Sequence, residues 1–211
     1  MEEVRPQIRD AILHRRSVRR YKPDELPDNL LEQVLEAARW APSWANTQCW
    51  EFIIVKDKGL KEKLRDTLTP NNPARDAVVQ APIVIVACGK SGIAGYKKGE
   101  PVTDKQEWFM FDVALALNNI TLVAHSLGLG TVHIGAFDAK KVAKIVNVAD
   151  GVLVVELMPI GYPDEQPAPR PRKEISSFVY LDKHGCPYED RGQKTEDRGQ
   201  RIEDRRDRSR A

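Results

Sequence analysis

The sequence predicts an α+β layer rather than a doubly wound sheet, and three observations carry that prediction. Short β-branched runs, Glu51–Lys56, Pro82–Cys88 and Val152–Met158, alternate with amphipathic helical stretches. Their order never settles into a regular β-α-β repeat. With 211 residues, 41% hydrophobic and 30% charged, the chain suits one domain with a real core beneath a charged surface.

Residues 6–16 place Ile8, Ile12 and Leu13 at helical spacing and lead into the basic turn RRSVRRY, Arg15 to Tyr21. Residues 27–40 form a second amphipathic helix, with Leu30, Leu31, Val34, Leu35 and Ala38 on one face. Pro27 suits its first turn, Asp28 and Glu32 complement its dipole, and Pro42 stops it. Strand 51–56 follows, then helices over 58–68 and 72–80, broken at Pro70-Asn71-Asn72-Pro73. After strand 82–88, the glycines of 90–104 mark a mobile loop and a candidate lid. The helix expected over 104–127 is apolar nearly all round, which predicts burial on every side and hints at a dimer interface. Thr131–Ala136 reads as a strand, Ala139–Val146 as a helix, and Val152–Met158 as a strand. The four prolines of GYPDEQPAPRPRK keep that segment extended, and Phe178–Leu181 is a last candidate strand.

Residues 1–184 therefore read as the folded domain and 185–211 as a charged tail. Residues 189–210 nearly repeat every seven positions, but Ile202 is the one large aliphatic residue there, so no seam is available and disorder is expected. The formal net charge of +2 gives no electrostatic reason to expect nucleic acid or a membrane surface as the main partner. The N-terminus lacks a signal-like apolar core, and Cys49, Cys88 and Cys186 are too scattered for a disulfide framework or zinc site. A reducing cytoplasm is the expected location.

Four segments stand out chemically. Arg15, Arg16, Ser17 and Arg19 offer arginine forks and a hydroxyl to an anion, or simply a solvated basic helix end. Arg170, Arg172 and Lys173 sit on a proline-stiffened strand, which is equally ordinary linker charge. Pro42, Ser43, Trp44 and Asn46 lie in a polar turn that presents hydrogen bonds and an aromatic face, or merely stops a helix. Gly135 and Ala136 let a ligand approach the backbone, or form a packed turn. No GxSxG elbow, phosphate-binding loop, HExxH or GxGxxG is present, and the four histidines are not at ligand spacing. Any enzymatic chemistry must then come from a bound cofactor.

Taken in order, RRSVRRY, APSWANTQCWEF, AHSLGLGTVHIGAFD, ELMPIGYPDE and PRPRK resemble the nitroreductase family over roughly residues 7–182. The resemblance implies a three-layer α-β-α sandwich with a central, mainly antiparallel sheet, built as an intertwined homodimer with FMN at the subunit interface. It implies that Arg15, Arg16, Ser17 and Arg19 bind FMN from phosphate to pyrimidine, and that Pro42, Ser43, Trp44 and Asn46 reach the flavin from the other subunit. Gly135 and Ala136 match the backbone beside the flavin N5 edge, and Arg170 and Arg172 match cations that close on the phosphate. Asn72 and Arg75 stand where members often carry a polar residue and a lysine, so their equivalence is looser. The implied activity is hydride transfer from NAD(P)H through FMN to a small electron acceptor, a nitroaromatic, quinone or similar, in ping-pong order, with no catalytic side chain required. Three other readings stay open: a different flavin enzyme on the same scaffold, such as a dehalogenase, a flavin protein that turns over no NAD(P)H, and an interaction module acting through the tail.

Overall fold

The computed structural model describes residues 6–188. In chain order these form α1 (Pro6–His14), α2 (Asp28–Arg39), β1 (Trp50–Val55), α3 (Lys58–Arg65), α4 (Arg75–Gln80), β2 (Ile83–Lys90), β3 (Tyr96–Lys97), β4 (Glu100–Pro101), α5 (Phe109–Ser126), β5 (Gly130–Thr131), α6 (Ala139–Ile145) and β6 (Val152–Gly161). The chain divides into two compact units between Pro169 and Arg170. The repetitive tail, 189–210, lies outside the described residues.

The main sheet has the order β1-β2-β6-β5, every pair antiparallel. β2 is buried from Ile83 to Gly89 because its two faces serve two different cores. Ile83, Ile85 and Ala87 pack with Leu31, Val34 and Ala38 of α2 and with Val113, Leu117 and Ile120 of α5. Val84, Val86 and Cys88 pack with Leu64 of α3, Ala77 and Val78 of α4, and Val142 of α6. The period-two alternation of a strand thus sorts one apolar run onto both sides. Between Ala87 and Cys88 the β2–β6 register slips, since Ala87 pairs with Glu156 and Cys88 with Val154, leaving Val155 as a bulge.

Several elements are shorter than the sequence predicts, each for a local reason. α3 stops at Arg65, where the Thr67 hydroxyl donates to the Leu64 carbonyl and closes the last turn. α4 starts at Arg75 because the Asn72 carboxamide takes the Ala74 N–H and holds a turn before it. α5 starts at Phe109 rather than 104; Gln106 is left-handed (φ 58°), and its carbonyl backs onto Gly95, where an added Cβ would come within 2.0 Å. The expected loop 90–104 carries the small hairpin β3–β4. The strand expected over 131–136 is regular only at Gly130–Thr131 and then touches β6 through one bridge, Ile134 to Leu157. Phe178–Leu181 forms no strand; among its described residues the second unit has a 3-10 turn, Ile175–Ser177, and one bridge, Tyr180 to Pro187.

Within the single chain, α5 is not buried on all sides. Val113, Ala116, Leu117, Ile120 and Ala124 are sealed, whereas Met110 and Phe111 are 62% and 55% exposed. α5 is long and apolar enough to cross a bilayer by length and composition, and here it packs against α2 and the sheet.

Candidate functional site

The turn after α1 is threaded beside β5. Ser17 bridges Thr131, the Val18 N–H donates to the Thr131 carbonyl, and Gly130 passes so close that an added Cβ would meet Val18 at 2.8 Å. Glu165, far along the chain, fixes the turn from the other side. Its carboxylate accepts from the backbone N–H of Arg19 (2.5 Å) and Arg20 (3.2 Å) and lies 3.3 Å from Arg20 Nε. Tyr21 is buried and donates to the Val18 carbonyl at 2.8 Å; burial, then Glu165, pushes its phenol far above the usual value.

That turn forms one wall of a cleft of about 600 Å³, whose lining includes His14, Arg15, Arg16, Thr121, His125 and Thr131. Arg16 donates to the Leu13 and Arg15 carbonyls, which holds its guanidinium at the cleft. Arg19 donates to the Ser17 carbonyl, but its Nε is buried without an acceptor. Burial lowers the His125 imidazole below its ordinary value; His14, Arg15 and Arg16 act in the same direction and Asp10 against it.

The segment from Thr131 continues into a second cleft, of about 840 Å³, where Arg75, Gly135, Ala136, Phe137 and Lys141 meet. Asn72 Nδ2 donates to the Ala136 carbonyl at 3.3 Å. Arg75 donates to the Leu68 carbonyl at 2.7 Å and pairs with Asp66 at 3.3 Å. Gly135 faces open space, with nothing within 4 Å of an added Cβ. The structure therefore brings Asn72, Arg75, Gly135 and Ala136 together and links them along the chain, through residues 131–134, to the cleft of Arg15 and Arg16.

Pro42, Ser43, Trp44 and Asn46 stand elsewhere. Their turn is organised by Asp112 of α5, which is 0% exposed. Its carboxylate accepts from the Trp44 N–H at 2.9 Å, from the Thr47 hydroxyl at 3.4 Å and from the Cys49 thiol at 3.5 Å. Burial, then Asp112, pushes the Cys49 thiol up to about 11. Ser43 Oγ accepts from the Gln48 N–H, and Ala45, Asn46 and Gln48 are all left-handed, a tight wind that the buried carboxylate holds shut. From Asp112 to His125 the helix rises about 20 Å, at ~1.5 Å per residue, so within one chain this turn does not meet the arginine cleft. Arg170 and Arg172 are exposed and belong to the second unit.

A model of the nitroreductase family matches residues 12–162. The chain belongs to that family. It is 30% identical over 167 residues to a Methanothermobacter thermautotrophicus protein that carries the provisional name NADH dehydrogenase/NAD(P)H nitroreductase, covering 77% of this chain and 81% of that one. It is also 30% identical over 168 residues to the Bacillus subtilis protein named FMN reductase [NAD(P)H], covering 74% and 66%. A nitroreductase family protein of known structure from Clostridium novyi NT superposes with a TM-score of 0.67 at 28% identity, covering 86% of this chain and 96% of that one.

Sequence reasoning missed three acidic residues that organise these turns and strands. None of the three is among the candidate residues read from the sequence: Asp112 holds the 43–49 turn, Glu165 the turn after α1, and Glu156 the imidazole of His133, which in turn meets Thr121. A lone carboxylate inside an otherwise apolar run is the available signal, because it must find donors when the run is buried.

Proposed function

We propose that this chain is an FMN-dependent NAD(P)H oxidoreductase that reduces a small acceptor such as a nitroaromatic or quinone. One observation carries the reading: Arg15 and Arg16 line one cleft, Arg19 of the same turn has a buried Nε without an acceptor, and the segment that leaves Thr131 runs from that cleft to the open backbone of Gly135 and Ala136 in a second. A buried donor without an acceptor, next to clustered guanidinium groups, fits an anionic ligand that completes the site. The gap at Gly135 fits the planar part of the same ligand.

FMN, when bound, supplies the relay of hydride from NAD(P)H to the acceptor. Arg15 and Arg16 would offset the phosphate charge, and the Ser17 hydroxyl and Arg19 would serve the groups next to it. Asn72 orients the Ala136 peptide, leaving the backbone at 135–136 as the contact along the flavin edge. Arg75, steadied by Asp66 and Leu68, supplies a fixed cation on the same side.

We infer that the working form is a homodimer with the three-layer arrangement of helices about the sheet, in which the Pro42–Asn46 turn serves the partner's cofactor. Support comes from the ~20 Å of α5 between that turn and the arginine cleft, and from the exposed apolar side chains of Met110, Phe111, Ile8 and Ile12. We take residues 1–184 as the cofactor-binding domain, and the free thiols of Cys49, Cys88 and Cys186 support a cytoplasmic setting.

The test is an absorbance spectrum of FMN-loaded protein before and after anaerobic NADH, then NADPH. Flavin bands that bleach support the reading and settle the donor; protein that takes up no FMN overturns it. Reciprocal plots against donor and acceptor should be parallel for ping-pong order, and intersecting plots would remove that part.

A further inference from the structure

His125 lines the arginine cleft, and the proposed site gives it no role. It sits in the last turn of α5, one turn beyond Thr121, so the two present one face of the helix to the cleft. The polar groups around it already hold partners within the chain. Thr121 meets the ring of His133, His14 Nδ1 is bonded to Asp10 at 2.7 Å, and Arg16 donates to the Leu13 and Arg15 carbonyls. His125 differs. No hydrogen bond joins either of its ring nitrogens to another described residue, and neither nitrogen is sealed from the cleft.

The neighbours of His125 decide its charge. The titratable and charged groups facing it are Asp10 and His14 of α1, Arg15 and Arg16 of the turn after α1, and Glu165 after β6. Burial holds the imidazole below its ordinary value; Asp10 opposes this, while His14, Arg15 and Arg16 add to it. The chain's own groups therefore favour a neutral ring at neutral pH. Two influences run the other way beside a phosphate. Its charge, up to two units negative, attracts an imidazolium and cancels the repulsion from Arg15 and Arg16. The C-terminal end of α5, where the last carbonyls point, favours a positive ring as well.

We infer that His125 is a further ligand of the FMN phosphate and binds it as the imidazolium, so that the protein takes up a proton as it takes up the cofactor. The inference rests on the proposed FMN-dependent function and on the phosphate lying at Arg15 and Arg16. The imidazole titrates at a higher pH with phosphate beside it than in the FMN-free protein. Its contribution to affinity is complete below the FMN-free value, itself under 6.5, and is lost as pH rises through the FMN-bound value. Cofactor retention thereby becomes sensitive to pH near neutrality. Arginines alone cannot give that sensitivity, because they stay charged throughout the range. The phosphate's own ionisation has the opposite sign. Clustered guanidinium groups favour its dianion, so on binding the phosphate can only release a proton.

The experiment is a calorimetric titration of FMN-free protein with FMN at neutral pH, in buffers of different ionisation enthalpy. It reads the protons exchanged per cofactor bound. Flavin fluorescence gives the FMN affinity from about pH 6.5 to 8.5, above the phosphate's own second ionisation at about 6. The native chain should show net proton uptake, and its affinity should weaken about tenfold across that range. His125→Gln keeps a hydrogen-bonding group without the titration, so it should lose the uptake and stay at the weaker level throughout. His125→Lys, cationic over the whole range, should hold tight binding to the alkaline end. Native protein that binds FMN without net proton uptake overturns the inference and leaves the oxidoreductase reading standing. So does uptake that persists in His125→Gln; its loss in His14→Gln would then assign the proton to the other histidine of the cleft. A native chain that binds no FMN overturns both.

Discussion

At the N-terminal end of α5, the Asp112 carboxylate is sealed from solvent and collects an amide, a hydroxyl and a thiol, all from the turn it supports. At the other end the cleft gathers Arg15, Arg16, His14 and His125, and Arg19 of the same turn has its Nε buried without an acceptor. The first end is closed on itself, with its charge answered by groups of the same chain. The second gathers several cations on one open cleft and has, in the same turn, a buried donor that the fold leaves without an acceptor. A structural charge is recognised by completed hydrogen bonds, and a ligand-binding one by bonds still to be made.

The contrast is broken most severely by removing the clustered charges of the open cleft. Arg15→Ala with Arg16→Ala should weaken FMN binding by ~100-fold or more, since a hydrogen bond to a charged group contributes about 1.5–3 kcal/mol. The melting temperature of the FMN-free protein should stay close to native, because the Arg16 hydrogen bonds to the Leu13 and Arg15 carbonyls are exposed or part-buried and contribute little. A fluorescence titration with FMN and a thermal scan check the two halves of this expectation. A large fall in melting temperature with affinity intact would show that the arginines are structural.

The opposite pattern is expected at the other end. Asp112→Ala leaves the half-buried Trp44 N–H and Thr47 hydroxyl without their acceptor, which should destabilise the fold by about 2 kcal/mol. Asp112→Asn keeps one acceptor oxygen and should cost about half as much. Urea unfolding of the FMN-free protein measures both. Equal, small effects from the two variants would mean that the turn holds itself without this carboxylate.

The two ends also differ in how far the sequence reveals them. RRSVRRY and the Gly135–Ala136 pair are local motifs whose chemistry is visible in a few adjacent residues, and the structure does join Asn72 to Ala136 across 64 positions. The central strand was equally legible, because a run such as Ile83-Val84-Ile85-Val86 needs cover on both faces wherever it sits. Asp112, Glu165 and the Glu156–His133–Thr121 group were not legible. Each acts on a segment remote in the chain, and a lone histidine carries no mark of the carboxylate it will meet. The expected 131–136 strand failed for a related reason: the β6 bulge and the single Ile134–Leu157 bridge are set by pairing, which local propensity does not encode.

The smallest expected effect is a pH dependence at the closed end. Burial and Asp112 raise the Cys49 thiol from 9.0 to about 11, and burial and Glu51 raise Cys88 from 9.0 to about 11. The folded chain therefore keeps thiol protons that the unfolded chain loses. The resulting stabilisation is complete below pH 9.0, where both states are protonated, and is lost as pH rises toward about 11. Asp112→Asn removes the charge beside Cys49, so its thiol should come down and its share of this alkaline loss should shrink. The share from Cys88 should persist, since its charged neighbour is Glu51. Urea midpoints of the native chain, Asp112→Asn and Glu51→Gln across that alkaline range separate the two cysteines. A slope unchanged in Asp112→Asn would mean that burial alone sets the Cys49 thiol, and that the closed end is held by packing more than by its carboxylate.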